Sequence, residues 1–149
     1  MAGASPRALW ALVLVFMFLA APASAGEVST GDATAGGQEA KALIERQLDA
    51  FAHDDAAGAY ALASPGLKTV FADPDTFMQM VRGQYAPVYR HQSVEFGEMQ
   101  VDGDNVSQVL TIIDDDNQVW KALYKLARQP DGTWLITGCV LIKSTDTST

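Results

Sequence analysis

The hydrophobic rhythm of the chain changes once, near residue 90. Up to about Tyr85 apolar residues recur every three or four positions, and from His91 onward they alternate. In 38-QEAKALIERQLDAFAHDD-55, Ile44, Leu48 and Phe51 form one stripe with Ala40 and Ala52 nearby, and Glu39, Arg46 and Asp49 take the other face. This predicts an amphipathic helix starting near Gln38. In 54-DDAAGAYALAS-64 a second, short helix is predicted, capped by Asp54 or Asp55, with Tyr60 and Ala63 on one face and Ser64-Pro65-Gly66 as its end. Gly58 costs that helix about 1 kcal/mol relative to alanine, so it depends on packing, and the glycine is expected to let two backbones approach closely. The third helix, 73-DPDTFMQMVRGQY-85, has Asp73 as N-cap, Pro74 in the first turn, and Phe77, Val81 and a methionine on its buried side.

Four alternating runs follow, at 92–101, 105–113, 119–129 and 133–142, separated by the polar turns 102-DGDN-105, 114-DDDNQ-118 and 130-PDG-132. Strands so close in sequence form an antiparallel meander. The third run points Trp120, Ala122, Tyr124 and Leu126 one way and Lys121 and Lys125 the other. The expected fold is therefore α+β, with three N-terminal helices packed on a curved four-stranded antiparallel sheet. Because 109-VLTII-113 and 134-WLITGCVLI-142 are nearly apolar on both faces, the side away from the helices is expected to meet a second copy or the N-terminal segment. A homodimer is one reading of this pattern.

The first residues stand apart. Arg7, the apolar run from Ala8 to Ala21 and the Ala23-Ser24-Ala25 site read as a signal peptide over 1–25. A flexible lead-in over 26–37, a single domain over 38–143 and a flexible tail over 144–149 complete the expected organisation. The mature protein is expected to be periplasmic or secreted, with no stable membrane insertion after cleavage, because no second run is long enough to span a bilayer. The leader carries one of the ten basic residues and none of the eighteen acidic ones, so the formal charge deepens from −8 to about −9. The remaining cations are scattered singly, which argues against nucleic acid or anionic lipid as a partner. Cys139 is the sole cysteine, so no intrachain disulfide forms, and its apolar neighbours in 138-GCVLI-142 predict a buried thiol.

The element order, taken with 53-HDDAAGAYALASPGLKTVF-71, 85-YAPVYRHQSVEFG-97 and 119-VWKALYKLARQPDGTWLITGCVLI-142, resembles the bacterial exported domain-of-unknown-function family 4864. That family is similar in turn to the nuclear-transport-factor-two-like, or SnoaL-like, superfamily. The likeness spans about Gln38 to Ile142 and implies a cone-shaped, cystatin-like fold with a conical pocket between helices and concave sheet. It implies no particular ligand. Within that superfamily, isomerases, dehydratases and cyclases place an acid, or an aspartate and histidine pair, inside the cone. Here His53 with Asp54 or Asp55 and Tyr60 would supply part of such a set, while the concave strand positions Phe96, Leu110, Ile112, Trp120, Ala122 and Tyr124 offer neither carboxylate nor imidazole. That argues against catalysis, and no catalytic residue is assigned.

The richest concentration of functional groups is 85-YAPVYRHQSVEF-96. Tyr85 and Tyr89 beside Arg90 can orient an anionic or carbonyl-bearing ligand, and the same groups can equally close the junction between helix and sheet. Asp114, Asp115 and Asp116 lack the loop and closing glutamate of a calcium site, and two distant histidines with one cysteine make no zinc site, so no metal and no cofactor are expected. The favoured function is non-catalytic binding of a small apolar or amphipathic molecule. Phe96, Trp120 and Tyr124 would form the wall, Tyr60 and Tyr85 would also contact the ligand, and Tyr89 and Arg90 would set orientation. The alternatives are a homodimeric structural or interaction protein and a small isomerase, dehydratase or cyclase.

Overall fold

The computed structural model describes residues 30–145. The expected signal peptide over 1–25 and the last four residues of the expected tail lie outside the described residues. Five helices precede the sheet: α1 (Thr30–Ala52), α2 (Ala56–Ala61), α3 (Pro65–Val70), α4 (Pro74–Gln84) and α5 (Ala86–Tyr89). The strands are β1 (His91–Asp102), β2 (Asn105–Asp114), β3 (Val119–Arg128) and β4 (Trp134–Lys143), in the order β1-β2-β3-β4 and antiparallel throughout. The sequence expectation of N-terminal helices on a four-stranded antiparallel meander is what is found, in the cone-shaped arrangement.

Two helical details differ from expectation. The lead-in expected over 26–37 is helical from Thr30 onward. Its two glycines allow this, since a Cβ on Gly36 would lie 3.0 Å from the Trp134 ring and one on Gly37 2.8 Å from Met99 Sδ. Close approach of α1 to the sheet outweighs the low helix propensity of glycine. The expected three helices are five because proline both ends and begins helices. Ser64-Pro65-Gly66 closes α2 and opens α3, with Ser64 Oγ accepting from Leu67 N at 3.4 Å and Pro65 in the first turn. Ala86-Pro87 likewise follows α4 and starts α5.

The neighbour that Gly58 accommodates most closely is the Asp55 side chain. Asp55 caps α2 by accepting from Gly58 N at 2.9 Å, and a Cβ at Gly58 would fall 2.2 Å from the same carboxylate. Asp73 caps α4 as expected, its Oδ1 accepting from Thr76 N at 2.8 Å. The Thr76 amide and hydroxyl hold the Asp73 carboxyl below its usual range.

α1 turns Ala40, Leu43, Ile44, Gln47, Leu48 and Phe51 inward along a single stripe. The stripe meets Val106, Gln108, Leu110 and Ile112 of β2 and Ala122, Tyr124 and Leu126 of β3, all buried. Register places Leu110 opposite Ala122, Gln108 opposite Tyr124 and Val106 opposite Leu126. On the outer face one apolar row runs across three strands, Val109 opposite Leu123 and Leu123 opposite Val140, flanked by Lys121 and Lys125. β1 breaks register with β2 twice, once between Phe96 and Met99. There buried Gln108 donates to the carbonyls of Gly97 at 3.0 Å, Glu98 at 3.3 Å and Val109 at 2.8 Å.

β4 is held from its open side by the helical layer. Ser64 N donates to Ile136 O at 2.8 Å and Ile136 N to Leu62 O at 2.9 Å. Further along, Tyr85 Oη donates to Cys139 O at 2.8 Å. Among the described residues no helix is long and apolar enough to cross a membrane.

Candidate functional site

The helices do not fill the concave face of the sheet completely. Between α1, α3, α4, the Tyr85–Val88 segment and the β3–β4 side lies an open-mouthed cavity of about 300 Å³. Its walls are mostly apolar: Phe51 from α1, Leu67 and Phe71 from α3 and its end, Phe77, Met80 and Val81 from α4, Val88 from α5, and Ile136 from β4. Phe77 is the hub of one wall, with Phe71 edge-on at 5.8 Å, Tyr60 at 5.8 Å and Phe51 at 6.4 Å between ring centroids. The polar lining comes from Gln47, Gln84, Tyr85 and Tyr124, with the Cys139 thiol beside them.

These polar groups differ in how they are satisfied. Tyr85 is engaged by Cys139 O, as described. Gln47 is 3 % exposed and Tyr124 2 % exposed, and neither side chain has a hydrogen-bond partner among the described residues. Among the described residues three polar side chains are buried: Ser64, which caps α3, Gln108, whose amide serves three carbonyls, and Gln47, which has no partner there. Buried polar side chains are normally paired, and the Gln47 amide on this cavity wall departs from that rule.

All three ionisable groups on the wall stay neutral near pH 7. Burial pushes the Tyr124 hydroxyl well above the ordinary tyrosine range, reinforced by Cys139 and Tyr85, and burial raises Tyr85 in the same direction. Burial pushes the Cys139 thiol up to about 12, which makes it a poor nucleophile. Among the described residues no Asp, Glu, His, Lys or Arg lines the cavity. It presents shape, uncharged donors and two amides, those of Gln47 and Gln84.

Of the residues singled out from sequence, Tyr85 and Tyr124 line this cavity. Tyr60 stands behind its wall, with its hydroxyl donated to Phe71 O at 2.7 Å. Tyr89 and Arg90 belong to a separate cluster around Asp54. There Tyr89 Oη donates to Asp54 Oδ1, Arg90 Nη2 donates to Asp54 Oδ2 at 2.9 Å and Arg90 Nη1 to Phe51 O at 2.7 Å. Arg82 Nε adds a bond to Tyr89 Oη at 3.2 Å. The cluster ties the end of α1 to α4 and the start of β1.

Phe96 lies half-buried with Lys41 Nζ 5.1 Å from its ring centroid. Trp120 donates its indole N–H to Asp114 Oδ2 at 2.7 Å. Burial acts to raise the Asp114 carboxyl, but the Gln118 amide, the Trp120 indole and the Asp116 amide outweigh it and hold it low. This turn is therefore satisfied by its own donors. Among the described residues no group of three or more His, Cys, Asp and Glu is placed to hold a metal ion. His53 is exposed at the end of α1, where Nδ1 contacts Asp49 O at 2.9 Å, and His91 Nδ1 contacts Val88 O at 3.1 Å.

Sequence reasoning did not single out Gln47, Phe51, Phe71 or Phe77 as lining residues. For Gln47 the signal was present: it falls three positions after Ile44 on an otherwise apolar stripe.

With this geometry in hand, comparison with known proteins is informative about family and fold. The model of the family described as a domain of unknown function, DUF4864, matches residues 33–149. The chain belongs to that family. No curated protein matches. Among solved structures, a DUF4864 chain such as this is similar to an NTF-2-like protein of unknown function from Silicibacter pomeroyi DSS-3, with 14 % identity and a TM-score of 0.53 over 78 % of this chain and 99 % of that one. At that identity the likeness concerns the fold.

Proposed function

We propose that this protein binds a small apolar or amphipathic molecule in the cone without chemically altering it. The observation that carries the reading is the cavity of about 300 Å³ walled by phenylalanines, on which Gln47 and Tyr124 are buried without partners among the described residues. An apolar wall supplies affinity and a few placed polar groups supply orientation. The ligand-contacting residues in this reading are Phe51, Phe77, Gln47, Tyr85 and Tyr124. Tyr89 and Arg90 act at a distance, by fixing the α4–β1 junction that frames the mouth. The leader composition supports action in the periplasm or outside the cell.

The test is titration of the protein with the uncharged dye N-phenyl-1-naphthylamine, whose emission rises in apolar surroundings. Saturable binding is expected, together with its loss in Met80→Trp, which places an indole at the half-buried mouth position, at unchanged thermal stability. Absence of saturable binding refutes the reading.

A second reading, homodimerisation through the outer sheet face, is favoured by one observation. Val140 is 47 % and Ile142 60 % exposed, and Val140 continues the apolar row through Leu123 and Val109. Sedimentation equilibrium is expected to show a dimer that Val140→Asp converts to monomer, and a wild-type monomer at high concentration overturns it. The two readings concern opposite faces of the sheet and stand or fall separately.

A further inference from the structure

We infer that the cavity selects uncharged ligands that carry a hydrogen-bond acceptor, such as a carbonyl, on an apolar body of about two-ring size, and that it discriminates against the corresponding carboxylates. This rests on reading the cavity as a ligand site and specifies the chemistry of what enters.

Size comes first. A dry protein cavity of roughly 150 Å³ accommodates benzene, so one of about 300 Å³ suits a two-ring body with a small substituent. The head group follows from Gln47 and Tyr124. A phenol hydroxyl offers a donor, and an amide offers both donors and an acceptor, so a carbonyl, amide or hydroxyl on the ligand finds a partner. Gln47 and Tyr124 come from different layers of the fold, one from α1 and one from β3, and both line the same space. Neither has a hydrogen-bond partner among the described residues, whereas the neighbouring Tyr85 is committed to Cys139 O.

Charge is excluded by the surroundings. Arg46 and Lys125, the neighbours of Gln47 and Tyr124, are exposed and do not line the cavity, and other cations near the lining residues are engaged elsewhere. Arg82 and Arg90 are on Asp54 and Tyr89, and Lys68 lies 5.2 Å from the centroid of the Tyr60 ring. A carboxylate entering this wall would lose its hydration and meet no countercharge, a penalty that uncharged donors do not offset. The acidic surface of the protein, formal charge −8, disfavours the approach of anions further.

Three naphthalenes of nearly one shape test this on the full chain, by direct titration and by displacement of the dye: 2-acetylnaphthalene, 2-ethylnaphthalene and 2-naphthoate. The ketone is expected to bind about tenfold tighter than the hydrocarbon, the gain of one well-placed hydrogen bond. The carboxylate is expected to bind roughly a hundredfold or more weaker than the ketone at pH 7. In Tyr124→Phe and in Gln47→Leu the ratio of ketone to hydrocarbon affinity falls towards one. Equal binding of the ketone and the carboxylate, or a ketone preference intact in both variants, overturns this inference and leaves the cavity a binding site. Failure of all three compounds and of the dye overturns the cavity reading itself and this inference with it.

Discussion

Replacing Gln47 with leucine should make the protein more stable, although it removes a polar side chain from α1. The side chain is 3 % exposed and its amide has no partner among the described residues. An unsatisfied buried amide costs about 1–3 kcal/mol, and a leucine of similar size recovers that cost and adds apolar contact. Because the amide faces a cavity with an open mouth, the expected gain sits at the lower end, about 1 kcal/mol. With an unfolding entropy of about 2.1 cal/mol/K per residue over the described domain, this corresponds to a rise in Tm of roughly 4 °C. The matched control is Gln108→Leu. Its amide donates to three carbonyls at 2.8–3.3 Å, so its loss leaves the break in β1 unsupported and costs about 2–3 kcal/mol. Urea denaturation and thermal scans of both variants give the comparison. If Gln47→Leu loses stability as Gln108→Leu does, the Gln47 amide is satisfied inside the protein and its assignment to a ligand is wrong. If it gains stability and loses preference for the naphthyl ketone, the residue serves the site at the expense of the fold.

Three further outcomes are expected. Gly36→Ala should destabilise by about 1 kcal/mol or more in chemical denaturation, because its Cβ meets the buried Trp134 ring, while Gly37→Ala should be near neutral, since the flexible Met99 side chain can yield; equal effects would contradict the packing described. Cys139 should resist iodoacetamide at pH 8 until denaturant is added. Desolvation pushes its thiol up to about 12 in the fold from an ordinary 9.0, so its contribution to stability is present below pH 9 and is lost as pH rises towards 12; Cys139→Ala should therefore shift alkaline unfolding upward, and rapid native alkylation would refute the raised thiol pKa. Arg90→Lys should cost about 1 kcal/mol in denaturant titrations, because an ammonium cannot serve Phe51 O, Asp54 and Tyr89 together, and an unchanged midpoint would show the cluster to be ornamental.

The architecture was legible because the change of period from helical to alternating is abrupt, and because each strand ends in a compact polar turn. Helix limits were less so. The residues around Gly36 and Gly37 have no apolar stripe, and only the Trp134 ring and the Met99 side chain, far along the chain, make a helix profitable there. Asp54, Tyr89 and Arg90 were conspicuous as chemistry, yet their bonds to one another are three-dimensional facts, and nothing in 85-YAPVYRHQSVEF-96 shows that Asp54 awaits them. The cavity wall is assembled from four helical segments and two strands, so its composition was not written in any one stretch. Within it Tyr124 was visible by strand alternation, whereas Gln47 would have required asking why a polar residue interrupts a stripe.

The sheet has two outer strands, and neither offers a clean template for another strand. On β4 the outward groups of Ile136 and the Cys139 carbonyl are already taken by Leu62, Ser64 and Tyr85, while β1 is twice out of step with its neighbour. Backbone-to-backbone extension from one molecule to the next is thereby obstructed on both sides, and concentrated solutions of this protein should resist fibril growth for as long as α3 and Tyr85 stay docked.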